Sequence, residues 1–186
     1  MKIVKFLIEY LKSPRTVGAV APSSERLAKK MISDIDFKNS KCIVEYGPGT
    51  GVFTDKLVEG KNQDTILLLL EYNKEFCTLL EERYNGYDNI FIINDSAENV
   101  DMYLEKYNIR HVDYVVSGLP FASLPKNTSN RILKKTRTIL KKDGLFITFQ
   151  YTLLKKEFIG KYFKAIELDR VVLNIPPAYV LKCNNS

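Results

Sequence analysis

The sequence predicts a doubly wound α/β sandwich, and three observations carry that prediction. Apolar, β-branched runs recur at 41–46, 65–72, 89–95, 112–120 and 144–152. They are near-continuous, as suits strands buried on both faces of a parallel sheet. Helical patterns lie between them. Two further strand-like runs, 165–174 and 178–184, are separated only by Ile175-Pro176-Pro177. That link is too short for a parallel crossover, so the pair closes as an antiparallel hairpin. The expected architecture is a single domain over 1–186 with a seven-stranded sheet and an antiparallel last strand, preceded at 1–33 by a helical extension.

The elements follow in order. Residues 1–12 form an amphipathic helix in which Lys2, Lys5, Glu9 and Lys12 share one narrow polar arc. The rest of its surface is apolar, wider than the stripe of ~100° expected of a helix resting on a core. Such a helix suits a bilayer interface or a lid over substrate, and packing on its own domain is the alternative. Lys5, Glu9 and Lys12 interrupt the apolar run, so no signal peptide is expected. Ser24 reads as the cap of a helix starting near Glu25. The first strand leads through a glycine-rich turn into a helix at 52–59. Asn73 caps the next helix, which carries Phe76, Leu79 and Leu80 at helical spacing and stops at Gly86. A basic helix spans about 127–142 and ends at the Asp143–Gly144 turn, and a short helix follows the fifth strand.

Composition narrows the function classes. Hydrophobic residues make up 45% and charged residues 27%, and no run reaches the roughly 18 apolar residues of a membrane span. Cys42, Cys77 and Cys183 are scattered, and His111 is the one histidine. A disulfide scaffold and a metal site are therefore not expected, and a reducing cytoplasm fits best. His111 precedes the fourth strand, at the edge away from any ligand, and is given no role. The net charge of +6 points to an anionic partner, either nucleic acid, membrane surface or phosphorylated metabolite.

Chemistry concentrates at strand ends. Gly47-Pro48-Gly49-Thr50-Gly51 joins the first strand to the first helix of the alternation. In a doubly wound sheet that turn sits at the carboxyl edge, where a ligand can touch bare backbone. Glu71 ends the second strand 20 residues after Gly51, where a carboxylate accepts hydrogen bonds from both ribose hydroxyls. Asp95-Ser96-Ala97 ends the third strand and suits an adenine amino group. The loop spacing is G-x-G-x-G, not G-x-G-x-x-G, and Glu45 precedes it. An acid there opposes a phosphate and favours a cationic ligand.

On these residues the sequence resembles a known family. EYGPGTGVFT, LEYN, NDSAE and the closing hairpin are similar to the class I methyltransferases, whose Rossmann-like sheet has an antiparallel seventh strand. The resemblance implies S-adenosyl-L-methionine as cofactor, S-adenosyl-L-homocysteine as product and no metal. It assigns cofactor contacts to Glu45, Gly47, Pro48, Gly49, Thr50 and Gly51. It extends them to Glu71, Tyr72 and Asn73, to Asp95, Ser96 and Ala97, and to Ser117, Gly118 and Leu119. The segments at 13–31, 117–125 and 171–182 resemble the bacterial phospholipid N-methyltransferases, relatives of the ribosomal RNA adenine dimethyltransferases. Those enzymes convert phosphatidylethanolamine stepwise towards phosphatidylcholine.

A lipid acceptor and a nucleic-acid adenine both remain open at this point. SGLPF places Ser117 and Gly118 where amino-methyltransferases of bases usually carry Asn or Asp, and no helical C-terminal domain is expected; both features disfavour RNA. A lipid acceptor implies catalytic roles for Tyr151 and Ser117. It also implies substrate contacts at Arg15, Ser23, Ser24, Pro120 and Phe121, and peripheral membrane contact through 1–15 on the inner face of the cell membrane. The basic tract Lys126, Arg131, Lys134, Lys135, Arg137, Lys141 and Lys142 meets solvent, lipid phosphates or an RNA backbone; its spacing does not choose. A cofactor-binding protein with little catalysis is the third reading, because binding and turnover use the same cofactor contacts.

Overall fold

A computed structural model describes residues 22–174 and 176–185. The elements are α1 (Pro22–Ile32), β1 (Cys42–Tyr46), α2 (Val52–Gly60), β2 (Ile66–Leu70), α3 (Lys74–Arg83), β3 (Ile90–Ile93) and, after a 3-10 turn at Ala97–Asn99, α4 (Val100–Lys106). They continue with β4 (Val112–Ser117), α5 (Lys126–Ile139), β5 (Leu140–Gln150), α6 (Lys156–Gly160), β6 (Ala165–Val171) and β7 (Ala178–Asn184). One sheet contains all seven strands in the order β3-β2-β1-β4-β5-β7-β6. β1 to β5 pair in parallel, and β7 runs antiparallel to both β5 and β6.

Alternation along the strands builds two cores. Val44, Tyr46, Leu68, Leu70, Val115 and Phe146 face the side covered by α4, α5 and α6, through Leu104, Ile132 and Ile159. Ile43, Leu67, Leu69, Val116 and Ile147 face the other side, covered by α1, α2 and α3 through Met31, Leu57 and Leu80. β1 is buried along its whole length, which explains its unbroken CIVEY sequence. The cysteines are free and buried, and burial pushes the Cys42 and Cys183 thiols up to about 12.

Two expectations about helix ends are corrected. α1 starts at Pro22, not near Glu25, so Ser23 and Ser24 lie in its first turn instead of capping it. Proline is well suited to open a helix, because its missing N–H is one that no turn would bond. α5 ends at Ile139, short of the expected Lys142; Leu140 is already extended (φ −66°, ψ 140°) and buried. The register between β4 and β5 then shifts between Val112 and Tyr114. Gly144 lies in this irregular stretch because a Cβ there would meet the Asp113 carbonyl at 2.8 Å.

Asp113 fixes the edge opposite the ligand loops. Its Oδ2 accepts the N–H groups of Lys41 (2.8 Å) and Cys42 (2.9 Å), and its Oδ1 pairs with Lys141. Burial works against the charge, but these partners outweigh it and hold the carboxyl below the usual range. At the other side of the sheet, buried Lys182 on β7 forms ion pairs with Asp34 and with Asp169 (2.7 Å), which Lys30 of α1 also meets (2.8 Å). The hairpin is thereby tied to α1. Asp113→Ala leaves two backbone donors and an ammonium without their acceptor. It is expected to cost about 2–3 kcal/mol, lowering Tm by about 5–10 °C for a chain of this size. Calorimetry checks this, and ligand binding at the opposite edge should be retained in the folded variant.

Candidate functional site

β1 to β6 all end at the same edge of the sheet, where β7 begins. At that edge the Gly47 N–H donates to the Leu70 carbonyl (2.9 Å), carrying the ladder one residue beyond β1. The chain then turns through Gly47, Gly49 and Gly51 at φ of 64°, 56° and 89°. Side chains are disfavoured in that region. Close approach adds a second reason for glycine. A Cβ on Gly118 would lie 2.7 Å from the Gly47 carbonyl oxygen, so the ends of β1 and β4 are in backbone contact.

Two carboxyl groups flank this loop in different surroundings. Glu71, 8% exposed, accepts the Gly49 N–H at 3.0 Å and the Asn73 N–H at 2.8 Å. A carboxylate accepts about four hydrogen bonds, so capacity for a diol remains. Glu45 is wholly buried; its Oε2 accepts the Thr54 hydroxyl at 2.7 Å, and its Oε1 has no partner among the described residues. Burial pushes its pKa up to about 8; the Thr54 bond opposes this and the negative charges of Glu71 and Asp55 add to it. A buried oxygen without a partner is costly, and a cationic group placed beside Oε1 would displace the proton and restore the carboxylate.

The remaining assignments divide. Pro48 is buried, and Thr50 is exposed with its carbonyl held by Arg83 at 2.9 Å. Tyr72 is 81% exposed beside Glu71, and Asn73 caps α3 by accepting the Glu75 N–H. Asp95 stands at the end of β3, but its carboxylate is already engaged by the Ser96 N–H (2.6 Å), Asn99 and the Tyr103 hydroxyl (2.8 Å). Burial works to raise its pKa, and these donors hold it below the usual range instead. Its side chain thus organises the turn before α4 and has little acceptor capacity left for adenine, while Ser96 is half-buried and Ala97 buried.

Ser117 is buried at the end of β4; its Oγ accepts the Leu119 N–H (3.2 Å) and its carbonyl accepts the Thr148 hydroxyl (3.2 Å). Gly118, Leu119 and Pro120 line the turn, each half-buried. Phe121 departs from its expected substrate role. Its ring is fully buried and meets Phe146 edge-on at 6.1 Å, because the Pro120 turn directs it into the core. Tyr151 is half-buried and edge-on to Phe149 at 5.4 Å. Arg15 lies outside the described residues, as does the whole of 1–15. Of the basic tract, Arg131, Lys135 and Lys141 are committed to Glu98, Asp101 and Asp113.

Two residues were missed. Gln150, 4% exposed at the end of β5, has an Nε2 without a partner among the described residues, and its signal was a polar side chain closing an apolar strand at the ligand edge. Arg83 grips the glycine loop and also pairs with Asp55 at 3.3 Å, which no local pattern discloses. A separate cavity of about 390 Å³ lies between α1, α2 and the end of α3, away from Glu71 and the β4 turn.

Residues 23–167 match the family model of ribosomal RNA adenine dimethylase. The chain belongs to that family. The ornithine lipid N-methyltransferase of Singulisphaera acidiphila is 28% identical over 180 residues, covering 96% of this chain and 93% of that protein. The ribosomal RNA small subunit methyltransferase A of Hydrogenobaculum is 29% identical over 111 residues, but this match spans 60% of the chain and only 40% of that protein. Among solved structures, precorrin-6Y C5,15-methyltransferase from Geobacter metallireducens superimposes with a TM-score of 0.66 at 12% identity, covering 86% of this chain and 88% of that one. The dimethylase-family chain is therefore a class I S-adenosylmethionine-dependent methyltransferase. The unpartnered Glu45 oxygen, the bare glycine backbone and Glu71 fit that cofactor's charge and ribose.

Glu45 also makes the folded chain sensitive to pH. Unfolded, it ionises near the ordinary glutamate value; folded, it keeps its proton to about 8. The stability it contributes is full below the ordinary value and is lost as pH rises towards 8. Its share of the slope approaches ~1.4 kcal/mol per pH unit. Urea unfolding of Glu45→Gln across this window should show a flatter pH profile than the parent chain.

Proposed function

We propose that this methyltransferase transfers methyl groups to the primary amine of a membrane lipid headgroup, with phosphatidylethanolamine the acceptor to which the sequence points. The observation that carries this reading is the correspondence with an ornithine lipid N-methyltransferase over 96% of this chain and 93% of that protein. Ornithine lipid and phosphatidylethanolamine share the group that matters, an alkyl amine on a headgroup at a water–hydrocarbon boundary.

In this reading Glu45 receives the cationic amino acid portion of the cofactor and Glu71 its ribose hydroxyls. Gly47 to Gly51 allow close approach, and Tyr72, Asn73, Ser96 and Ala97 border the adenosine. The bound cofactor supplies an electrophilic methyl group. The chain then has to present a neutral amine in line with it, since a free alkylammonium loses its proton only near pH ~10.4. Positioning supplies several kcal/mol of the barrier. The turn at Ser117 to Pro120 offers backbone acceptors for the amine. Ser117 Oγ is already bonded to the Leu119 N–H, so its role is to shape that turn. Gln150 and Tyr151 flank the same approach. A methylated headgroup gains from an aromatic face, which Tyr151 supplies better than the buried Phe121. Ser23, Ser24, Arg15 and residues 1–15 are proposed to meet lipid, which places the protein peripherally on the inner face of the membrane.

Two experiments test this. With radiolabelled S-adenosylmethionine, label should enter phosphatidylethanolamine or ornithine lipid vesicles, with the two run separately. Label in ribosomal RNA supplied in parallel, and none in lipid, would overturn the lipid reading. Separately, cofactor binding at pH 7 should release protons, because a cation beside Glu45 restores its carboxylate. Calorimetry in buffers of different ionisation enthalpy reads that release. Glu45→Gln should abolish it and weaken binding by about 10–100-fold, the value of a charged hydrogen bond.

A further inference from the structure

The ligand edge is chemically divided. The glycine loop, Glu71 and Asp95 occupy the ends of β1, β2 and β3, so a methyl acceptor has to arrive over the ends of β4, β5 and β6. On that half the chain exposes large apolar side chains in two neighbouring turns. Leu153 (39% exposed) and Leu154 (85%) lie between β5 and α6, and Val172 (59%) and Leu173 (66%) lie where β6 turns into β7. Gln150 pairs with Tyr179, and Val171 pairs with Ala178, so both turns leave the sheet at one edge. They are two strand spacings apart, about 10 Å. Apolar side chains scattered singly need no explanation, but a cluster at the mouth of a site does.

The charges beside these turns have one prevailing sign. Lys156 and Arg170 are exposed, and Lys155 lies over the Phe158 ring at 5.2 Å. The nearest carboxylates are Glu157 in the first turn of α6, Glu167 further down β6, and Asp169, which is already paired with Lys30 and Lys182. Apolar tips rimmed by cations match an anionic bilayer surface, with the leucines at acyl depth and the cations at the headgroups. A water-soluble acceptor gives no reason for such a rim.

We infer that the 153–154 and 172–173 turns form a docking face that inserts into an anionic membrane surface and sets the acceptor half of the sheet edge against the headgroups. This inference rests on the reading of the acceptor as a lipid and adds which surface meets the bilayer.

The test is flotation of the full-length protein, without cofactor, on phosphatidylcholine vesicles with and without phosphatidylglycerol. Binding should require the anionic lipid and weaken with salt. The double substitution Leu154→Asp with Leu173→Asp should lower the bound fraction at least tenfold. Lys155→Glu with Lys156→Glu should lower it further than salt alone, since each cation near such a surface adds about fivefold. Tm and cofactor affinity should not change, which separates a lost docking face from a damaged fold. Unaltered vesicle binding by the leucine variant overturns the inference, as does a changed oligomeric state with no change in vesicle binding. Methyl transfer to a short-chain, micelle-free amino lipid reports on the proposed reaction alone. If the leucine variant retains that transfer but loses it on vesicles, docking is supported. If the parent chain floats normally but methylates no lipid, the docking face stands and the assigned reaction fails.

Discussion

The fold is organised around a carboxyl group placed where water cannot reach it. Glu45 sits on β1, an inner strand between two packed layers, with one oxygen satisfied by Thr54 and the other by nothing in the described chain. Folding keeps it protonated, and so the free protein stores an unfavourable polar site beside its glycine loop. A ligand that brings positive charge to that point relieves it by restoring the carboxylate. A phosphate-bearing dinucleotide would make it worse. In the proposed reading, selectivity for a cationic cofactor over a pyrophosphate begins with one buried oxygen, before any contact to base or sugar.

The second constraint is distance. Gly47 and Gly118 bring the ends of β1 and β4 so close that no Cβ fits between them. Because β1 and β4 are inner strands, this contact divides the edge, in the proposed reading, into a cofactor half and an acceptor half that share one wall. Arg83 and Glu71 hold the loop from the cofactor side, through the Thr50 carbonyl and the Gly49 N–H. A methyl group and its acceptor need such a fixed boundary, since misplacement costs more rate than weak binding does.

Much of this was legible in the sequence, for physical reasons. Strands buried on both faces write unbroken apolar runs, and a two-proline link cannot host a crossover, so all seven strands and the antiparallel hairpin could be read. Glycines at positive φ after a strand, and acids at the next strand ends, marked the edge. Long-range side-chain commitments were not legible. Asp95 looked free as a strand-end acid, yet Asn99 from the 3-10 turn and Tyr103 from α4 come back to occupy it. Phe121 looked like a platform because it follows the β4 turn, but the turn rotates it into the core. Arg83 gave no hint at all, since its partners are distant in sequence.

Charge shows the same limit and bears on the choice of acceptor. As a sequence, the basic tract around α5 read first as a solvated face, and its spacing did not choose between lipid phosphates and an RNA backbone. In the fold its middle is spent on Glu98 and Asp101, and Lys141 on Asp113. α5 starts near the ligand edge at Lys126 and runs away from it, so the exposed Lys134, Arg137 and Lys142 lie progressively further from the site. A polynucleotide presenting a base at Gly118 would gain little from them. The cations that do stand at the acceptor half, Lys155, Lys156 and Arg170, are few and are interleaved with exposed leucines. That mixture suits a surface which is anionic above and hydrocarbon below, and it suits a phosphate backbone poorly, because an exposed leucine there would remain in water. The hairpin that carries half of this face is anchored through the pairs Lys182–Asp34 and Lys30–Asp169. Its tip is therefore presented by a fixed strand pair, and its apolar side chains are held outward against the hydrophobic cost of doing so.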